Sequence, residues 1–74
     1  MNNFEDEFKY RIQPTETHKT IVQEFEAYLK ENEKWQTKSF DAAGKRARAH
    51  LKNIHNLLIV RRNEIQDTRN ELSK

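Results

Sequence analysis

The 74-residue chain has no cysteine, one proline, one glycine and one methionine. Without cysteine there is no disulfide, no thiolate metal site and no cysteine nucleophile. One glycine and one proline supply too little turn chemistry for a many-stranded sandwich or barrel. The longest apolar run is Leu57-Leu58-Ile59-Val60, far short of the roughly 20 residues that span a bilayer. Residues 1–6 have neither the basic region nor the apolar stretch of a signal peptide, so none is expected. Paired carboxylates, a nucleophile motif and a glycine-rich phosphate loop are also missing. The expectation is a non-enzyme without cofactor or metal. His50 and His55 are five apart and so lie on different faces of a helix, and His18 is remote from both. Glu24 and Glu26, like Glu31 and Glu33, are two apart and do not face each other.

The chain is instead rich in charge and periodicity. Residues are 34% apolar and 35% charged, and at this size a single core rarely supplies more than roughly 3–5 kcal/mol. A soluble, cytoplasmic, all-α protein that associates with itself fits these figures. The net charge of +2 hides a segregation. Residues 1–33 carry a net −4, residues 34–62 a net +7, and residues 63–74 a net −1. A block of +7 creates a strong local potential whose partners are phosphate, an acidic protein surface, or the chain's own acidic third.

Three helices are predicted within one domain spanning residues 1–74. Phe4, Phe8 and Ile12 recur at four-residue spacing, giving a short helix over about 3–13 that Pro14 ends. A second helix, about 16–35, opens on the hydroxyls of Thr15 and Thr17. Its apolar stripe is Ile21, Phe25, Tyr28, Asn32 and Trp35, widened by Val22 and Leu29. Residues 35–39 read as the connection, with Thr37 or Ser39 capping the third helix. That helix, about 40–71, carries Phe40, Gly44, Ala47, Leu51, Ile54, Leu58, Arg61, Ile65, Thr68 and Leu72 at alternating spacings of four and three. A sustained 3.5-residue repeat is a coiled-coil seam. The fold expected is therefore a helical hairpin with a long coiled-coil-like C-terminal arm. Unequal arms leave part of the long helix uncovered, and a second subunit is expected there, as a homodimer through Leu51, Ile54, Leu58, Ile65 and Leu72. Ala43, Gly44 and Ala47 let the two backbones approach near the turn.

One position round from that seam run Lys38, Asp41, Lys45, Arg48, Lys52, His55, Ile59 and Arg62. Lys45, Arg48 and Lys52 stand on successive turns, roughly 5–6 Å apart, a spacing commensurate with the phosphates of a nucleic-acid strand. Cations near a helix N-terminus gain nothing from the macrodipole, so helix stability does not explain them. The alternative is a solvated basic face, partly neutralised by the acidic third.

The run Ala42-Ala43-Gly44-Lys45-Arg46-Ala47-Arg48, with Leu51, Ile54, Leu57-Leu58 and Arg61-Arg62 after it, resembles the bacterial and phage linker-histone-like proteins, the chlamydial histone-like protein among them. The resemblance covers about residues 38–66. It implies a small nucleoid-associated protein that binds DNA without sequence preference through Lys45, Arg46, Arg48 and Lys52. Lys38, Arg61 and Arg62 are placed in support. The location it implies is the cytoplasm or nucleoid, or a host's cytoplasm if phage-encoded. Residues 63–74 carry no Lys- and Ala-rich tract of the kind found in long members, so few phosphates are available to one chain and a pair of chains would bind better. The rival reading is a small coiled-coil interaction module, an adaptor or inhibitor, docking its basic stripe on an acidic protein. A structural homo-oligomer without ligand is the third.

Overall fold

The computed structural model describes residues 11–74, which form two helices packed as an antiparallel hairpin, α1 (Glu16–Lys38) and α2 (Asp41–Leu72). The short helix expected over 3–13 lies outside the described residues except for residues 11–13, which are not helical. The hairpin is a thin rod, 52 × 27 × 14 Å.

Thr15 caps α1: its side chain accepts the amide hydrogen of His18 at 3.2 Å, satisfying one of the orphan donors of the first turn. The helix runs three residues past the expected end. Thr37 does not cap the next helix but donates to the Glu33 carbonyl one turn back, at 2.7 Å. Ser39 is the C-cap, in the left-handed region (φ 53°, ψ 36°), and its amide closes on the Trp35 carbonyl at 3.0 Å. Phe40 begins α2 with no side-chain cap, its carbonyl accepting the amides of Ala43 and Gly44. The connection is thus two residues rather than five.

The 3.5-residue repeat of α2 is real, but α1 meets a different column of it from the one expected. The positions turned inward are Ala43, Ala47, His50, Ile54, Leu57, Arg61, Glu64 and Thr68. Ala47, Ile54, Arg61 and Thr68 belong to the expected seam. Leu51, Leu58 and Ile65 are each one residue further round and remain exposed. On α1 the inward column is Thr17, Ile21, Glu24, Tyr28 and Glu31; Phe25, Val22, Leu29 and Trp35 of the expected stripe stay about half exposed. Polar pairing explains the rotation. Glu24 takes His50 and Asn53, Glu31 takes Arg46, and Glu64 takes the hydroxyls of Thr15 and Thr17.

Close approach at the turn depends on Gly44. A Cβ built there would lie 2.9 Å from Cε3 of Trp35, inside any normal contact distance. The indole therefore lies directly on the α2 backbone. Only Ala43 and Ala47 are buried among the described residues. Because Thr15 and Thr17 reach Glu64, α1 covers α2 as far as that residue, and the part of the long helix left uncovered is its last two turns.

Candidate nucleic-acid interface

Turning the acids inward on α1 decides which cations face water. Arg46 donates from Nε to Glu31 Oε2 at 2.7 Å, and Lys34 lies 3.7 Å from the same carboxylate. His50 Nδ1 sits 2.7 Å from Glu24 Oε2. Arg61, inside the hairpin seam, donates to Glu64 Oε1 at 3.2 Å. These partners hold all three carboxyls below the usual glutamate range. The causes are the His50 hydrogen bond for Glu24, the Arg46 hydrogen bond for Glu31, and the Thr17 and Thr15 hydroxyls for Glu64. Arg46 and His50 thus tie α2 to α1, as do the Thr15 and Thr17 hydroxyls at Glu64, whereas the Arg61–Glu64 pair lies within α2.

The remaining basic residues line the outer surface of α2. Lys45, Arg48, Lys52, His55 and Arg62 are all exposed. Lys45 has a loose partner, Asp41 at 3.5 Å, with both side chains about 80% exposed; such a pair contributes little. Arg48, Lys52 and Arg62 make no hydrogen bond or ion pair among the described residues. The same holds for Lys38 at the end of α1. From Lys45 to Arg62 the row runs roughly 25 Å along the helix. Arg46 and Arg61, grouped with these cations on sequence grounds, are instead occupied by carboxylates of their own chain.

Over residues 15–71 the chain matches the sequence model of the family described as histone H1-like protein Hc1. The chain belongs to the Hc1 family. The match begins at the N-cap of α1 and ends one residue before the end of α2, so it spans both paired helices. The Hc1 family is a non-enzymatic, DNA-binding one. No curated protein and no solved structure matches the chain. Among the described residues there is no cluster of metal-ligating side chains, and no helix is long and apolar enough to cross a membrane.

Sequence periodicity missed the three seam acids, Glu24, Glu31 and Glu64. A signal for two of them was nevertheless present. Folding the chain at Ser39 and Phe40 brings Glu31 opposite Arg46, and Glu24 opposite His50 and Asn53.

Proposed function

We propose that this Hc1-family hairpin binds the phosphate backbone of duplex DNA through the outer surface of α2, in the nucleoid, without reading sequence. Lys45, Arg48, Lys52 and Arg62 make the contacts, with Lys38 at the turn in support; Arg46 acts indirectly by holding the hairpin closed through Glu31, and Arg61 is taken up by Glu64 within α2. The observation that carries the reading is the outward row of Arg48, Lys52 and Arg62, unpaired among the described residues, in a member of a DNA-binding family. Flexible cations on a convex rod neutralise phosphates but form no surface that enters a groove and fixes a base edge. Each phosphate neutralised releases condensed counterions, so binding weakens steeply with salt.

A gel shift with duplex DNA over a range of ionic strengths tests this. The slope of log K against log salt should be about −0.9 per phosphate neutralised, and alike for unrelated sequences. Arg48→Ala and Lys52→Ala should each reduce that slope by about one. Arg46→Ala should change it less, because its guanidinium is already held by Glu31. A salt-independent affinity, or no shift at low salt together with tight binding to an acidic protein, would overturn the proposal and favour the interaction-module reading.

A further inference from the structure

We propose that the turn of the hairpin is a second contact point, at which Phe40 stacks on a base of an unpaired nucleotide strand. The class of partner rests on the DNA-binding reading, but the site and its chemistry are separate from the cation row of α2. Phe25 and Tyr28 of α1 stack on one another, their centroids 6.1 Å apart at an interplanar angle of 28°. Trp35 and Phe40 make no ring contact among the described residues and are 45% and 55% exposed. The indole is backed by the α2 backbone at Gly44. Phe40 stands in the two-residue connection between the helices, at one end of the rod. The end of the hairpin thus presents two aromatic side chains that its own packing does not use up.

Two observations point to a base as the occupant. The first is the missing cap. An N-cap position favours Ser, Thr, Asp or Asn, whose side chains accept the orphan amides of the first turn. Phe40 holds that position in α2 and makes no such bond. A large apolar ring therefore stands in water where a small polar residue would serve the helix better, and such breaches of a local rule are expected where function requires them. The second is charge. Residues 34–48 carry Lys34, Lys38, Lys45, Arg46 and Arg48 against Asp41 alone, a net +4, whereas residues 16–33 carry a net −3 and residues 49–74 a net +2. Lys34 and Arg46 share Glu31, and Lys45 has only the exposed Asp41. Lys38, Lys45 and Arg48 remain to draw phosphates towards the ring. An exposed aromatic among cations matches the alternation of base and phosphate along a single strand, and it tolerates any sequence because every base has a π-face. In a duplex each base is already stacked on its neighbours and must be unstacked before a ring can enter. The turn therefore favours strands that are already parted.

The experiment titrates the full chain with a short oligo(dT), a short oligo(rU) and a duplex of the same length at one ionic strength. Anisotropy of a labelled strand gives affinity, and the single tryptophan, Trp35, reports through its fluorescence what reaches the turn. Oligo(dT) should quench the indole. Phe40→Ser should weaken oligo(dT) binding by roughly 5- to 100-fold, the loss of one stacked base, and leave duplex affinity unchanged. Because serine supplies the missing cap, the Tm of this variant should not fall. Should it fail to fold, Phe40→Leu, which keeps the apolar bulk without a π-face, must show a loss on the single strand alone, and Phe40→Tyr must bind as the unaltered chain does. A Phe40-dependent loss on oligo(dT) alone, or on oligo(rU) alone, identifies the strand as DNA or RNA. Single-strand affinity that ignores Phe40, an equal loss on the duplex, or an indole quenched by neither oligonucleotide would overturn the proposal. Duplex binding with the expected salt slope but none of these effects keeps the cation row and removes the turn site. Phe40-dependent binding of single strands without duplex binding does the reverse.

Discussion

Replacing Gly44 by alanine should destabilise this protein, although the same change in an open helix stabilises. Alanine gains up to about 1 kcal/mol over glycine in a helix through a smaller loss of backbone entropy. At position 44 the new methyl would sit 2.9 Å from Cε3, 3.2 Å from Cδ2 and 3.4 Å from Cζ3 of Trp35. These are atoms of a rigid ring, so the indole must shift as a body or the helices must part. Overpacking of this kind typically costs about 1–3 kcal/mol. The net expectation is a loss of about 0–2 kcal/mol, or up to roughly 10 °C in Tm for a domain of this length. All three nearest atoms belong to Trp35, so the sign should invert once the indole is gone. In a Trp35→Ala background, Gly44→Ala should stabilise by about 1 kcal/mol. The double-mutant cycle should then report a coupling of about 1–3 kcal/mol between the two positions. Urea unfolding followed by far-UV circular dichroism at one fixed protein concentration measures all four variants. If Gly44→Ala stabilises the Trp35 protein as much as the Trp35→Ala protein, the indole does not rest on the α2 backbone and the account of the turn is wrong.

The same hairpin makes two further outcomes measurable. Glu24, Glu31 and Glu64 titrate below the ordinary glutamate value of 4.5 in the folded chain. Their contribution to stability is therefore complete above that pH and is lost as pH falls through their folded values. Tm should decline as the solution is acidified below about pH 4.5, and Glu64→Gln should make the decline shallower; a Tm flat to about pH 3 would show that the seam carboxylates do not stabilise the hairpin. At the turn, Ser39 holds φ at 53° with a Cβ present, which costs roughly 1 kcal/mol. Ser39→Gly should raise stability by about 0.5–1 kcal/mol in the same urea assay, and a loss of stability would mean that the turn is not held in the left-handed region.

The placement of side chains between α1 and α2 is only partly legible in the sequence. Hydroxyls at Thr15 and Thr17 mark the start of α1 because capping is a local interaction. Its end is harder to read because Thr37 and Ser39 serve equally well as caps of the second described helix. Tertiary packing of Trp35 on Gly44 instead favours a helix that continues to Lys38. The heptad of α2 identifies a helix with a lengthwise partner but leaves two adjacent columns as candidates for it. The more apolar column, Leu51, Leu58 and Ile65, is the natural choice on hydrophobicity alone. It loses to the column containing His50, Leu57 and Glu64 because α1 offers carboxylates and hydroxyls along its own inward face. Among the cations, sequence position does not separate Arg46 and Arg61 from Arg48 and Arg62, since all four are equally basic and lie on one helix.

Local sequence is enough to make the chain helical, to segregate its charge, and to mark its central motif as linker-histone-like. Helix formation, capping and periodicity depend on neighbours within a turn or two, and these are present in any window of the chain. Which side of each helix faces inward was settled only by packing the two helices together. That choice separates the arginines held by glutamates from those that meet water, and leaves the column of Leu51, Leu58 and Ile65 on the outside. It rests on contacts between residues more than a dozen positions apart, such as Glu31 with Arg46 and Thr17 with Glu64, whose energies no local pattern expresses.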